Sequence, residues 1–188
     1  MSRRVLFLVA STRESGHLGN TEWLAQQAAA ALPSNTPTTW HHLAQMQLPA
    51  FVDLRHTTGS YAPPTADLKT LLDATLAATD IVLVAPVYWY SLPAHIKTYI
   101  DHWSGWMRVP GLDFKAQMAQ KTLRLITTSG DRAKAQPMMD SVKLCAQFLG
   151  MTDGGVLWGK GGPPRAVEAD TQAVAQAATF LLASSASQ

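Results

Sequence analysis

The sequence contains a single cysteine, Cys145, among its 188 residues. One thiol excludes an internal disulfide, a cysteine-based zinc site and a four-cysteine iron–sulfur cluster. Charged residues are also scarce, at 15% of the chain against ~25% in typical globular proteins. The net charge is only +2 and the basic residues form no stripe, so we expect no binding to nucleic acid. These shortages favour a compact protein of a reducing compartment.

Long hydrophobic runs are missing as well. The longest apolar run, residues 81–90, is half the length of a membrane span and contains a proline. The apolar run near the N-terminus, residues 5–10, is too short for the core of a signal peptide. We therefore expect a cytoplasmic protein without a membrane partner. The chain length favours a single domain over residues 1–188, with a hydrophobic core of its own.

Strand-like and helix-like segments alternate along the chain. Strands are predicted at residues 5–10, 38–43, 80–85, 123–127 and 156–158. Helices are predicted at residues 21–32, 66–78, 93–106, 137–149 and 166–183. This alternation predicts an α/β protein with a doubly wound parallel sheet and helices on both faces. Five strands favour the flavodoxin-like order 2-1-3-4-5, in which a ligand binds at the carboxyl ends of strands one and three.

The first loop at that edge, residues 11–21, leads from a buried strand into a helix. Free backbone N–H groups and the helix dipole favour an anion at such a position. Arg13 adds a planar charged group, and Gly19 allows the backbone to come close to a ligand. Further donors are the side chains of Ser11, Ser15, Asn20 and Thr21. We interpret the loop as a phosphate site, the alternative being an ordinary turn with Asn20 as the helix N-cap.

The second loop carries three consecutive aromatic residues, Tyr88, Trp89 and Tyr90, after Pro86 and Val87. Their rings can form a wall for a planar ligand, and the adjoining main chain can bind the ligand's edge. The alternative is that rings pack into the core or against another subunit, which we expect of at least one of the three.

The third loop contains Thr128, Ser129 and Gly130, whose small size lets a flat ligand approach the backbone. Together, the three loops predict a planar ligand with a phosphate group.

At this point the sequence resembles the flavodoxin-like NAD(P)H-dependent FMN reductases and quinone oxidoreductases. The resemblance spans nearly the whole chain, and the segment from Pro86 to Asp101 is its most specific part. The matching residues are Ser11-x-Arg13, Gly19-Asn20-Thr21, Pro86-Val87-Tyr88-Trp89, Ser91-x-Pro93, Lys97-Thr98-Tyr99-Ile100-Asp101, Phe114-Lys115, Lys121 and Thr128-Ser129-Gly130. Loop one is longer than the compact form of the family, which leaves open whether His17 or Leu18 also contacts the cofactor.

The resemblance implies non-covalently bound FMN and transfer of hydride from NADH or NADPH to a quinone, azo, nitro or flavin acceptor. Ser11, Arg13, Asn20 and Thr21 would bind the phosphate. The segment from Pro86 to Tyr90 would line the isoalloxazine and the ribityl chain, with Ser129 and Gly130 at the other edge. It also implies a homodimer or homotetramer, because neighbouring subunits in the family often complete the flavin pocket.

The remaining candidate residues receive no catalytic or metal-binding role. No histidine has a second ligand at metal spacing, and no histidine follows His102, which excludes a hydrolase with a late catalytic histidine. Trp103 and Trp106 could belong to the core, but we expect them to extend onto a dimer face. Flavin chemistry needs no protein acid or base, so the lack of a catalytic triad does not exclude a flavin enzyme. The main alternative to the enzyme is a non-catalytic electron carrier or flavin-sensing module. The net charge of +2 does not favour a carrier.

Overall fold

The computed structural model describes residues 2–14 and 16–182. Its strands are β1 (Val5–Val9), β2 (Thr38–His42), β3 (Asp80–Val84), β4 (Thr122–Ser129) and β5 (Thr152–Lys160). Its helices are α1 (Asn20–Ala30), α2 (Ala66–Ala77), α3 (Ala94–Trp106), α4 (Phe114–Met118), α5 (Arg132–Leu149) and α6 (Thr171–Phe180). Short 3-10 turns occupy Leu43–Gln45 and Ala166–Ala169.

The five strands form one sheet in the order β2-β1-β3-β4-β5, and every pair in it is parallel. The predicted fold class and strand order are therefore confirmed. Successive side chains of β1 point to opposite faces of the sheet, with Leu6 and Leu8 in one core and Val5 and Phe7 in the other. Helices α2, α3, α4 and α5 cover the first core, whereas α1 and α6 cover the second. Both faces of the sheet are thus buried, as a parallel sheet requires.

Several predicted boundaries are wrong, and local contacts explain the differences. Helix α5 begins at Arg132 rather than at residue 137, because the Asp131 carboxylate accepts a hydrogen bond from the Ala133 N–H (2.9 Å) and caps the helix. Helix α4 was not predicted, although Phe114 and Met118 lie one turn apart and are both buried. Strand β5 is longer than the predicted residues 156–158.

The last predicted helix, residues 166–183, is broken at Asp170. The Asp170 carboxylate accepts a hydrogen bond from the Ala173 N–H (3.0 Å) and thereby caps α6. Its second oxygen accepts one from the Lys160 N–H (2.8 Å), which ties the helix start to the end of β5. Residue 183, the predicted helix end, lies outside the described residues.

Candidate functional site

A cavity of about 200 Å³ lies at the carboxyl edge of the sheet, where β1, β3, β4 and β5 end. Most of the predicted site residues line it, namely Ser11, Arg13, Gly19, Asn20, Thr21, Pro86, Val87, Tyr88 and Ser129. Trp89, Tyr90 and Gly130 do not line it, and Ser15 lies outside the described residues. The parallel strand order explains this convergence, because the loops that follow β1, β3 and β4 emerge side by side.

The start of helix α1 supplies hydrogen-bond donors to this cavity. Gly19 is the N-cap residue and has no side chain with which to cap the helix. Within the described residues, the backbone N–H groups of Asn20, Thr21 and Glu22 have no hydrogen-bond acceptor. Uncapped N–H groups and the positive end of the helix dipole make this turn suitable for an anion.

Arg13 folds back over the start of α1. A Cβ atom added at Gly19 would lie 3.3 Å from Arg13 Cδ, 3.4 Å from Arg13 Nε and 3.5 Å from Ser11 Oγ. Gly19 therefore leaves just enough space for the arginine beside the helix terminus. This arrangement brings a guanidinium group, a hydroxyl group and free backbone N–H groups together, and all three are phosphate-binding groups.

Asn20 has a different role from the predicted one, because its side chain points to the loop after β5. Its amide nitrogen donates to the carbonyl oxygens of Gly162 (3.3 Å) and Pro163 (3.0 Å). Its amide oxygen accepts a hydrogen bond from the Val167 N–H (3.3 Å). The side chain is therefore neither the N-cap nor a free donor to a ligand, although the backbone N–H of Asn20 does face the site as part of the first turn.

The second loop forms a tight turn that presents its aromatic rings to solvent. Tyr88 and Ser91 exchange two backbone hydrogen bonds, of 3.1 and 3.0 Å, and the two residues between them have positive φ angles. Trp89 is 93% exposed, Tyr90 55% and Tyr88 38%. None of the three rings packs into the core, so that part of the expectation is wrong, whereas contact of a ring with another subunit stays a prediction. Two bulky residues in the left-handed region are strained, and such strain is concentrated at functional sites.

Hydrogen bonds connect the loops to each other. The hydroxyl groups of Thr12 and Tyr88 lie 3.2 Å apart and join loops one and two. The hydroxyl groups of Thr21 and Thr128 lie 2.5 Å apart and join α1 to loop three. The Val87 N–H donates to the Thr128 carbonyl oxygen (3.4 Å). The site is thus one connected structure rather than three independent turns.

The third loop is held by the hydroxyl group of Ser129. This hydroxyl donates to the Asp131 carbonyl oxygen (2.6 Å) and accepts a hydrogen bond from Trp158 Nε1 (2.9 Å). Gly130 faces open space, where an added Cβ would contact nothing within 4 Å. The hydroxyl group of Ser129 is therefore bonded within the protein, and the space beside Gly130 is open.

The fourth wall of the cavity consists of Gly161 and Gly162 after β5, and neither residue was predicted to belong to the site. At Gly161 an added Cβ would lie 3.0 Å from Thr128 Cβ, so a larger residue would require Thr128 to move. The signal was the Gly-Gly-Pro-Pro sequence, but the predicted strand ended too early to place it at this edge. Glu22, which also lines the cavity, was missed as well.

Several other predicted residues lie elsewhere. His17 and Leu18 line a neighbouring cavity of about 630 Å³ between loop one, the end of β2 and the start of α3. Trp103 and Trp106 are only 4% and 3% exposed, so their predicted place on a dimer face is wrong. They pack instead against the buried ring of Tyr99, with centroid separations of 5.5 and 5.7 Å.

No group of three or more His, Cys, Asp or Glu side chains is placed to hold a metal ion in residues 2–14 and 16–182. Within the same residues, no helix combines the length and the apolar character of a membrane span.

The family profile named Flavodoxin_2, described as a flavodoxin-like fold, matches residues 3–181. The chain belongs to this flavodoxin-like family. The match confirms the flavodoxin-like part of the predicted family.

The chain is 29% identical to YwqN of Bacillus subtilis (strain 168) over 171 residues. The aligned region covers 89% of this chain and 92% of YwqN. YwqN is named as an NAD(P)H-dependent FMN-containing oxidoreductase.

Solved structures share the fold of this flavodoxin-like chain. The Trp repressor binding protein from Bacillus subtilis aligns with a TM-score of 0.71 at 24% identity, covering 94% of this chain and 97% of that one. An FMN-dependent NADH-azoreductase from Bacillus anthracis str. Ames Ancestor, solved in complex with FMN, aligns with a TM-score of 0.64 at 14% identity. That alignment covers 96% of this chain and 99% of the azoreductase.

Proposed function

We propose that this protein is an FMN-dependent oxidoreductase that takes hydride from NADH or NADPH and reduces a small aromatic acceptor. The observation that carries this proposal is the meeting of an anion-binding helix start and an exposed aromatic turn at one edge of the sheet. The names of YwqN and of the Bacillus anthracis azoreductase support the same cofactor and the same type of reaction.

The residues present fit FMN. Arg13, Ser11 and the free N–H groups at the start of α1 would bind the phosphate, since they are uncommitted donors around one turn. Thr21 would contribute mainly through its backbone, because its hydroxyl group is bonded to that of Thr128. The main chain from Pro86 to Tyr88 and the backbone at Ser129 would line the flavin ring. Gly130 lies outside the cavity lining, next to Ser129, and would leave open space at that edge.

FMN held by these residues would supply the redox chemistry, which moves two electrons from the nicotinamide to the acceptor. The residues of the chain would orient the reactants. The exposed rings of Trp89 and Tyr90 provide apolar surface at the mouth of the cavity, where a flat donor or acceptor can pack. Small residues at Ser129 and Gly130 leave space for such a molecule over the ring. Quinone, azo, nitro and flavin acceptors all have this planar shape.

A second copy of this chain is also part of the proposal. Leu144 and Phe148 on α5 are 63% and 62% exposed and border a groove of about 510 Å³ with Ile100 of α3 and with Met107, which follows α3. The groove extends along both helices to Lys97 and Pro137 in their first two turns, near the loops of the site, so a subunit that fills it would reach those loops. We propose a homodimer or homotetramer that uses this surface. The cytoplasmic location stays a prediction.

The decisive experiment is flavin binding. We expect purified protein to bind FMN with a perturbed flavin spectrum and a higher melting temperature, and to bind riboflavin more weakly because loop one binds phosphate. Equal affinity for both flavins would contradict the assignment of loop one.

Turnover separates the enzyme from an electron carrier or a flavin sensor. Donor and acceptor share one face of the flavin, so initial rates with NAD(P)H and a quinone should give parallel double-reciprocal lines. Flavin-loaded protein that oxidises neither NADH nor NADPH with any acceptor would favour the carrier or sensor and exclude the enzyme.

A further inference from the structure

A carboxylate lies beside the proposed phosphate site. Glu22 is the third residue of α1, and it lines the same cavity as Arg13 and Thr21. A negative charge in the first helical turn stabilises the helix, but it also repels a phosphate bound to the same N–H groups. An anion site therefore needs a means of reducing the influence of this carboxylate.

His42 provides a partner for that carboxylate. Its Nε2 atom lies 2.8 Å from Glu22 Oε1, and the side chains of Glu22 and His42 are 15% and 39% exposed. The sheet fixes the position of the histidine, because His42 is the last residue of β2 and pairs with Val9, the last residue of β1. The imidazole therefore lies at the carboxyl edge, next to the start of loop one.

We propose that His42 is a positioning residue that, through its ion pair with Glu22, sets the preference of the site for a phosphorylated flavin. This inference rests on the proposed FMN site. The contact with His42 holds the carboxylate of Glu22 towards β2, so that the phosphate meets Arg13 and the helix start with less opposing charge. Without His42, nothing in this contact holds the carboxylate away from the phosphate.

The surroundings of His42 contain charges of both signs. Glu22 approaches from α1, and its neighbour His41 has a pKa that burial lowers, although Asp67 opposes that effect. The other titratable or charged groups that line the adjoining cavity are Arg13, Glu14 and His17 from loop one and His95 from α3. Glu22 is the only one of these groups that forms an ion pair with His42 in the described part of the chain.

The first test compares dissociation constants for FMN and riboflavin in the wild-type protein and in His42→Gln. Riboflavin lacks the phosphate, so it reports any general damage to the pocket. We expect His42→Gln to weaken FMN binding about threefold to tenfold, with riboflavin binding unchanged. Measuring both proteins at one pH cancels the ionisation of the phosphate itself.

Two further variants isolate the charge. His42→Arg places a permanent cation opposite Glu22, and it should bind FMN at least as tightly as the wild type. Glu22→Gln removes the repulsive charge, and it should strengthen FMN binding with no effect on riboflavin. In the Glu22→Gln background, His42→Gln should no longer change FMN affinity, because the two residues act through one interaction.

The results distinguish this inference from the proposed function. If His42→Gln changes the affinities for FMN and riboflavin by the same factor, or if its effect persists in the Glu22→Gln background, His42 has only a structural role and the inference is wrong. If the wild-type protein binds neither flavin, the proposed function is wrong. If it binds both flavins with equal affinity, the assignment of loop one as the phosphate site is wrong, whatever the role of His42.

Discussion

Two neighbouring residues of the site, Arg13 and Asn20, have the same predicted role but different structural ones. Arg13 lies over Gly19 with its guanidinium group at the uncapped start of α1. Asn20 uses its amide to hold the loop after β5. The sequence predicted the arginine correctly as part of the cavity, because its role depends on residues close to it in the chain. The partners of Asn20 are more than 140 residues away, and no local pattern reveals them.

These two residues should respond differently to mutation. We expect Arg13→Ala to weaken FMN binding by about 1.5–3 kcal/mol, the value of a charge-assisted hydrogen bond, with almost no change in the stability of the flavin-free protein. Asn20→Ala should lower the free energy of unfolding by about 1–3 kcal/mol, because three hydrogen bonds are lost. Flavin titration and urea unfolding measure the two quantities.

A control is available at the opposite edge of the sheet. Arg4 is exposed near the amino end of β1, so Arg4→Ala should change neither quantity. If Asn20→Ala weakens FMN binding as strongly as Arg13→Ala while leaving stability intact, the side chain of Asn20 binds the ligand directly and the structural interpretation is wrong.

At the scale of single elements, the aromatic turn after β3 combines strain with exposure. Trp89 and Tyr90 have φ angles of 51° and 65°. A two-residue turn with two backbone hydrogen bonds requires such a pair of positive angles, and Asn-Gly is the sequence that usually occupies it. We expect Tyr90→Gly to raise the free energy of unfolding by about 0.5–1 kcal/mol, since the strain relieved exceeds the entropy cost of glycine.

Tyr90→Gly should also weaken the binding of aromatic acceptors, because it removes one of the three exposed rings of the turn. Thermal unfolding and steady-state kinetics measure the two effects. Tyr90→Phe, which keeps both the ring and the strain, is the matched control and should leave stability unchanged. A Tyr90→Gly protein that is less stable than the wild type would show that the ring contributes more than the turn geometry costs.

A second element-scale feature lies at the amino ends of the strands, far from the site. The carboxylate of Asp80 at the start of β3 lies 2.8 Å from the guanidinium group of Arg3 and 3.4 Å from that of Arg124 in β4. Burial raises the pKa of Asp80, but hydrogen bonds from Arg3 and Thr79 and the charges of both arginines outweigh this, so the pKa lies below its ordinary value. The network therefore stabilises the fold above the unfolded-state pKa.

Removing the carboxylate charge should be costly. We expect Asp80→Asn to lower the free energy of unfolding at pH 7 by about 3–5 kcal/mol, because the buried Arg124 loses its ion pair with Asp80. In the wild type this contribution should be lost as the pH falls through the folded-state pKa of Asp80, so the variant should lose less stability than the wild type below about pH 4. Asp73→Asn, in an exposed pair with Lys69, should cost less than about 1 kcal/mol.

At the scale of the whole molecule, the alternation of apolar and amphipathic segments was sufficient to predict the sheet order and the edge that carries the site. Parallel strands with crossover helices permit few arrangements, so a periodic pattern determines the topology. The same pattern could not show which aromatic residues are buried. Trp103 and Trp106 lie on α3, and their burial depends on α4, where Phe114 packs at 5.5 Å from Trp106. That helix of five residues gave too short a signal to be predicted.

The correction moves the expected subunit contact from the tryptophans to α5. Leu144 and Phe148 lie one turn apart on its outer side, and each is more than 60% exposed. Large apolar side chains exposed together on a helix are typical of an interface. We therefore expect the wild-type protein to form a dimer or tetramer. The double variant that combines Leu144→Glu and Phe148→Glu should be a monomer, and sedimentation or light scattering measures the difference.

The same double variant tests whether the partner subunit contributes to the site. Because the groove extends along α3 and α5 to Lys97 and Pro137, near the loops of the cavity, dissociation should raise the KM for the acceptor. The start of α1, which we propose binds the phosphate, belongs to the other face of the sheet and should keep its preference for FMN over riboflavin. Lys143→Glu, on the same helix but outside this groove, is the control and should change neither the mass nor the KM. A double variant that is monomeric and still has the wild-type KM would show that each subunit holds a complete site.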